Sequence, residues 1–324
     1  MHASEASLAR TESKSEASHW PAAIGHPVVI VCVVGSCSDD RLLSETTDAV
    51  FKQEYAGQII TMVPNGAELK RRWALHNESD RSRLLISSAA TPALELDTVD
   101  VLATVLKLRP AAEFVALLRC GERPPRRWLA ALLSAQHDFD ADMVVGPVKA
   151  LFDEPPSDWI LAEGLFDRLE GGNSPVHVVP AADNLLMRVE TFCMWAPRVF
   201  SDAAGPSGWI ELVCRVSAAG CISIWANDAV VFDLVSKTRM SADGLVSCEF
   251  WKAYAKARAK SAGAGRVSQT VWRVRELGLL VAGAVTGPIS GIDKDRLLRA
   301  RLIAARVKGA TAARCRGLRG RPTP

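Results

Sequence analysis

The stretch HPVVIVCVVGSCSDDRLLSETTDAVFKQ, residues 26–53, decides the fold class. Val28 to Val34 is a continuous apolar, largely β-branched run bounded by Pro27 and Gly35, the pattern of a strand buried on both faces and therefore of a central parallel strand. After the polar GSCSDD, residues 41–53 place Leu42, Leu43, Thr46, Ala49 and Val50 on one helical face, behind the capping-type Ser38, Asp39 and Asp40. A strand at 58–63 then ends at Pro64-Asn65-Gly66, a turn signal. Further along, the pattern predicts a helix over 100–108, a strand over 113–118, a helix over 125–136 with Trp128, Leu129, Leu132 and Leu133 inward, and a strand over 143–148. Alternating βα units of this length imply an α/β protein with a mostly parallel, doubly wound sheet, whose ligands sit beyond the carboxyl ends of the strands. That rule singles out 35–40, 64–66 and 119–125.

Beyond Gly146 the texture changes to Pro- and Gly-rich loops, with strands expected at 176–179, 185–188 and 222–231 and a helix at 210–219. From Cys248 the chain reads as helical, and from Asp293 to Pro324 it carries ten Lys or Arg against two Asp. Three segments are expected: a disordered leader over 1–26, a domain over 27–250, and a helical, basic C-terminal extension over 251–324. No apolar stretch reaches the roughly 20 residues of a spanning helix, and the start has no secretory pattern, so a cytoplasmic location is expected.

The composition supports a large core: 324 residues, 48% hydrophobic, 23% charged, net charge +3. Eight scattered cysteines with no CxxC pair argue against a zinc or disulfide framework. GSCSDD has one glycine where a dinucleotide fingerprint needs three, and neither a phosphate loop nor a GxSxG elbow occurs.

The run FVALLRCGERPPRRWLAALL, residues 114–133, followed by VVGPVKALFDEPPSDWI, residues 144–160, resembles family 2 glycosyltransferases of the GT-A fold, in particular glucosyltransferases of succinoglycan-type exopolysaccharide synthesis. NLLMR at 184–188 and IWANDAVVFDLV at 224–235 extend the resemblance, which covers about Val28 to Arg258. It implies a GT-A-like fold and inverting sugar transfer from a nucleotide-sugar donor, UDP-glucose-like, to a polysaccharide or lipid-linked acceptor. The departing diphosphate then needs a cation, in the family usually Mn or Mg held by carboxylates, and the acceptor hydroxyl needs a general base.

The family motifs are degenerate here. Arg119, Cys120 and Gly121 stand where the acidic cluster belongs, leaving Glu122, and Gly208 and Trp209 stand where the later Glu and catalytic Asp are expected, leaving Glu211. Pro64 replaces the first nucleotide-contacting Asp, although Asn65 and Gly66 fit, and no His follows His177. The metal ligands are therefore not retained. In a rebuilt site Arg119 and Arg123 neutralise the diphosphate as fixed cations, Glu211 is the base, Glu122 orients the acceptor, Asn65 and Gly66 contact the nucleotide, and Asn184 contacts the acceptor. The competing reading makes the arginines solvated loop residues and Glu211 a surface helix residue.

Asn184 reads equally as a turn residue, Trp128 and Trp159 as core rather than sugar platforms, Cys120 as an inert thiol, and Asp138, Asp140 and Asp142 as a polar loop rather than a metal site. A helix near 277–289 with the basic tail suits peripheral contact with the inner membrane face, or a bland solvated helix. No interleaved aromatics support nucleic-acid binding. A catalytically inactive homologue serving as a scaffold or binding partner in polysaccharide synthesis is the second functional reading.

Overall fold

The structure, a computed structural model, describes residues 26–34, 40–65, 69, 71, 83–87, 98–108, 110–168, 174–175, 182–200, 208–263 and 294–315. Four parallel strands form one half of the main sheet: β1 (Val28–Val34), β2 (Ile59–Val63), β3 (Leu84–Ile86) and β4 (Ala112–Arg119), in the order β3-β2-β1-β4. Beyond β4 follow β9 (Leu185–Arg188), β6 (Met143–Val145), β10 (Ser223–Trp225) and β8 (Ser174–Pro175). β9 runs antiparallel to both neighbours, β6 and β10 are parallel, and β8 closes the edge antiparallel.

Alternation along β1 explains its two-sided burial. Ile30, Cys32 and Val34 enter one core, with helices α2 (Thr98–Leu108), α5 (Val189–Phe200) and α6 (Gly208–Ala218) over it. Val29 and Val31 enter the other, covered by α3 (Trp128–Phe139), whose Trp128, Leu129, Leu132 and Leu133 all pack inward. Helix α1 (Asp40–Phe51) fills the corner beside Val33 and Val63 with Leu42 and Leu43. Each such fully buried aliphatic side chain contributes about 1.5–3 kcal/mol, which is why the apolar runs locate the sheet so directly.

Two expected strands are each broken in two. The run at 143–148 divides at Gly146-Pro147 into β6 and β7 (Val148–Phe152), and the run at 222–231 divides into β10 and β11 (Val231–Val235). Both breaks carry the chain into a second, three-stranded sheet of order β5-β11-β7, where β5 is Glu122–Arg123. A side chain at Gly146 would run into the Ala229 carbonyl oxygen and stand 2.7 Å from Asn184 Nδ2, so this crossing requires glycine.

The disulfide expectation is corrected at Cys120, which is disulfide-bonded; sequence spacing alone carried no sign of it. Trp128 and Trp159 are core residues, 1% and 8% exposed. Asp140 pairs with Arg188 and caps α3 in a left-handed conformation, while Asp142 Oδ2 accepts from the Ile222 amide at 2.8 Å. The expected strand at 176–179, the helix near 277–289 and residues 1–25 of the leader lie outside the described residues.

At the C-terminal end, α8 (Ala242–Gly263) packs on α6 and on α9 (Lys294–Cys315). One continuous helix therefore passes through residue 250. Among the described residues no helix is long and apolar enough to cross a membrane.

Asn184 holds the strand crossing together. It is fully buried with φ 47°, its Oδ1 accepts from Trp128 Nε1 at 2.7 Å, and its Nδ2 donates to the carbonyls of Pro147 and Ala229, each at 2.7 Å. Asn184→Ala strands one donor and two acceptors and places a poorly suited residue at positive φ. A loss of about 3 kcal/mol in urea-unfolding stability is expected, with Asn184→Asp also destabilising because its carboxylate faces two carbonyls.

Candidate functional site

The chemistry-bearing residues converge where β4 ends. Arg119 is its last residue, and the chain then turns through Gly121, whose φ of 95° suits glycine. The turn is pinned on three sides: the Cys120 amide donates to the Val34 carbonyl at 3.0 Å, the Gly121 amide to Thr46 Oγ1 at 3.0 Å, and the Leu234 amide to the Gly121 carbonyl at 3.1 Å. β5 then pairs antiparallel with β11, setting Glu122 opposite Asp233. On the other flank Leu117 pairs with Leu185 antiparallel, so the residues entering β9 run back past the end of β4 and deliver Asp183 to Arg119.

The result is a guanidinium among three acids. Arg119 Nη2 lies 2.6 Å from Asp233 Oδ2, 3.1 Å from Asp183 Oδ2 and 3.7 Å from Glu122 Oε1. Arg239 grips Asp233 with both terminal nitrogens, at 2.7 and 2.8 Å, and lies over the Phe166 ring. Arg168 bonds the Asp183 carboxylate and also donates to the carbonyls of Asp183, at 2.8 Å, and Gly146, at 3.0 Å. Glu122 Oε2 accepts from the Arg119 amide at 2.8 Å, whereas its Oε1 is buried without a hydrogen-bond partner. Glu122 and Asp233 are fully buried, and the Arg119 side chain is 29% exposed.

Charge distribution follows from this geometry. Burial pushes the Asp183 and Asp233 carboxyls up, but Arg168 and Arg119 at the first, and Arg119 and Arg239 at the second, outweigh it and hold both below the ordinary range. Burial and the Asp183 charge push Glu122 up to about 8, against the opposing pull of Arg119. Burial disfavours the Arg119 cation, yet the carboxylates of Asp233 and Asp183 more than compensate and hold it charged. The cluster therefore favours a charged Arg119 guanidinium and ionised Asp183 and Asp233, and disfavours the ionised form of Glu122.

These residues do not fit a divalent metal. Their carboxylates converge on a guanidinium, two are already bonded by Arg168 and Arg239, and among the described residues no group of three His, Cys, Asp or Glu is placed to hold an ion. What the arrangement can do is present a fixed, partly exposed cation, flanked by the Glu122 carboxyl, at the carboxyl end of a central strand.

Of the residues singled out from sequence, the structure brings Arg119 and Glu122 together. Arg123 points instead to α1, 2.5 Å from Glu45 Oε2. Asn65 lies half-buried just after β2, and Gly66 lies outside the described residues. Asn184 adjoins Asp183, but its side-chain amide is spent on Trp128, Pro147 and Ala229. Glu211 is fully buried in α6, with Oε1 bonded by Arg215 and Oε2 by Arg258, each at 2.6 Å, and there it ties α6 to α8. The expectation that it stands open as a base is corrected by those two bonds, because a base needs an accessible oxygen. Sequence reading missed Asp183, Asp233, Arg168 and Arg239; the one available signal was an acid, Asp233, inside the apolar run VFDLV.

No protein-family model matches the chain, and no curated protein matches it. Among solved structures it is similar to the mannosyltransferase PcManGT from Pyrobaculum calidifontis in complex with GDP-Man and Mn2+, with 16% identity, TM-score 0.50, and coverage of 94% of this chain and 93% of that one. The fold is GT-A-like. S. aureus TarS 1-349 in complex with UDP also aligns, at 12% identity and TM-score 0.43 over 91% of this chain and 92% of that one. The Arg119 cluster stands at the carboxyl end of β4 in this sheet.

Glu122 gives a pH test with a defined sign. The unfolded chain loses this proton near the ordinary carboxyl value of 4.5, the folded chain near 8, so native protein binds more protons between those values and stability falls as pH rises through that window, then levels off. Glu122→Gln mimics the protonated form and removes the slope. Its urea midpoint relative to the parent protein is expected to rise between pH 5 and pH 8; a constant difference would show Glu122 ionised throughout.

Proposed function

We propose that this chain is a glycosyltransferase-like protein that binds a nucleotide-sugar donor, UDP-glucose-like, and directs its sugar to a polysaccharide or lipid-linked acceptor. The observation that carries the reading is the Arg119 guanidinium, 29% exposed and held by Asp183, Asp233 and Glu122 at the carboxyl end of β4 in a GT-A-like sheet. A diphosphate leaving group needs its growing charge neutralised, and a guanidinium matches phosphate oxygens without a metal. Glu122, fully buried beside Arg119 and bonded to its backbone amide, positions the guanidinium rather than touching the donor. The mannosyltransferase of similar fold, solved with GDP-Man, supports the same donor class.

The family 2 resemblance of residues 114–133 and 144–160 favours an exopolysaccharide acceptor, with the 27–250 unit carrying the donor site and the basic 251–324 extension a peripheral contact at the inner membrane face. A second reading rests on Glu211, Asp183 and Asp233, each bonded by two guanidiniums. With these carboxylates so engaged, the chain is a binding or scaffold relative that has kept donor recognition and lost transfer.

Titration calorimetry with UDP, UDP-glucose and GDP-mannose, each with and without manganese, tests both readings. Metal-independent binding of at least one is expected, weakened by about tenfold or more in Arg119→Ala and partly retained in Arg119→Lys. Failure of all three to bind overturns the donor assignment, and binding without transfer to oligosaccharide or lipid-linked acceptors selects the scaffold reading.

A further inference from the structure

Arg119 does not stand alone at the end of β4. β11 ends at Val235, and the chain turns at once into a short helix, α7 (Lys237–Met240), which carries Arg239 back over Asp233. Arg239 Nη1 donates to Asp233 Oδ1 at 2.7 Å and Arg239 Nη2 to Asp233 Oδ2 at 2.8 Å, an end-on fork. Asp233 Oδ2 is the same oxygen that Arg119 Nη2 reaches at 2.6 Å. One buried carboxylate oxygen thus holds two guanidiniums, whose Nη2 atoms lie no farther apart than those two bonds laid end to end. Two like charges at that separation need a shared counter-ion, and Asp233 is a fixed one, fully buried on a strand paired on both sides.

The fork leaves part of each guanidinium unspent. The end-on pair uses the two N–H groups that face each other across Nη1 and Nη2, and the other Nη1 hydrogen lies toward the Leu234 carbonyl at 3.3 Å. Nε–H and the outer Nη2–H form the remaining edge of Arg239, and among the described residues no group accepts from Nε. Arg119 is used in the same way: Nη2 takes the contacts to Asp233, Asp183 and Glu122, and among the described residues Nη1 makes no hydrogen bond. Both side chains are 29% exposed, against 12% for Arg168, whose terminal nitrogens are committed to Asp183 and Gly146. The Phe166 ring, 5.5 Å from Arg239 Cζ, covers one face of that guanidinium and steadies its plane.

We propose that Arg119 and Arg239 form a paired diphosphate site, in which one guanidinium takes each phosphate of the nucleotide sugar and Asp233 sets their spacing. The inference rests on the nucleotide-sugar reading above and deepens it: that reading needs one cation, and the geometry supplies a second, carried by the three-stranded sheet rather than the main one. A single guanidinium recognises a phosphate, whereas two held on one carboxylate recognise two phosphates joined to each other. The consequence is preference for diphosphate over monophosphate ligands. Arg239 is a binding group, and Asp233 is a positioning residue.

The full-length protein and its Arg239→Met and Arg239→Lys variants are titrated with the mono- and diphosphates of uridine and guanosine, with the two nucleosides and with inorganic pyrophosphate, thermal melts being run in parallel. Arg239→Met is expected to bind the diphosphate ligands about tenfold more weakly, with monophosphates changed by less than about threefold and nucleosides unchanged. Arg239→Lys keeps the charge but not the planar fork, and falls between the two. Because either change also takes a partner from buried Asp233, labelling of the parent protein gives a reading that needs no variant. Phenylglyoxal, which attacks an open guanidinium edge, is expected to modify Arg239, and saturating UDP or pyrophosphate, but not uridine, to lower modification of Arg119 and Arg239 about fivefold while leaving Arg299 and Arg301 on α9 unchanged. Diphosphate binding by the parent protein that leaves Arg239 unprotected, or that is equally tight in a folded Arg239→Met, overturns the inference while the donor reading stands. An Arg239 that resists the reagent in the free protein overturns it as well, as does a loss equal for diphosphates, monophosphates and nucleosides, which assigns Arg239 a packing role. Absence of diphosphate binding by the parent protein removes both the inference and the donor reading.

Discussion

The Arg119 guanidinium is the joint on which this structure turns, because it sits where four chain segments meet. It ends β4 of the main sheet, faces Asp183 at the entry to β9, faces Asp233 on β11 of the small sheet, and is bridged by Glu122 on β5. Taking a guanidinium out of water costs several kcal/mol, and only close carboxylates with further hydrogen bonds offset it. Burial and the nearby Asp183 charge push up the Glu122 carboxyl, the acid farthest from the guanidinium and without a second arginine. Electrical balance is thus a property of the whole cluster, and deleting any one member leaves its partners as uncompensated buried groups.

A second constraint, the paired strand break, places that cluster. β6 and β10 run parallel in the main sheet, and their continuations β7 and β11 run parallel in the small one, so the two chains leave one sheet for the other together. Gly146 allows the crossing, Asn184 ties its two sides through the carbonyls of Pro147 and Ala229, and Arg168 secures Gly146 to Asp183. Without the crossing β11 would not reach β5, and Asp233 would not stand opposite Glu122. Fold and site share their hydrogen bonds, which is why Asn184 next to a cluster acid is spent as a strut.

Much of the sheet was legible because burial on two faces writes itself into composition. VVIVCVV at 28–34 and LLMR at 185–188 match their strands to the residue, and α3 buries the four apolar residues its periodicity assigned inward. The strand breaks were harder to read: an apolar run that changes sheets is as hydrophobic as one that does not, and only Gly146-Pro147 hinted at the first. The site was legible in half. Arg119 and Glu122 follow a central strand, where topology directs attention, but Asp183 and Asp233 arrive by antiparallel register, which a single sequence does not encode. Glu211 shows the converse, since an acid on an amphipathic helix reads alike whether it meets solvent, substrate or, as here, Arg215 and Arg258.

In the basic C-terminal segment, part of the positive charge is engaged within the protein. Arg299 pairs with Glu163, Arg301 with Asp243 and Arg306 with Glu249. The helix carrying these arginines approaches α8 closely through small residues, with Ala310 and Ala313 against Tyr254. A side chain at Gly309 would collide with the Phe250 carbonyl, so the two backbones pass at a distance only glycine permits. Close, small-residue packing of this kind fixes helix rotation as well as separation. Because α9 is set in rotation, Arg306 meets Glu249, which Lys252 one turn on also reaches, at 3.4 Å. Part of the tail's positive charge is therefore spent on fixing α9 against α8, and the segment that composition describes as an appendage is packed through α8 onto α6.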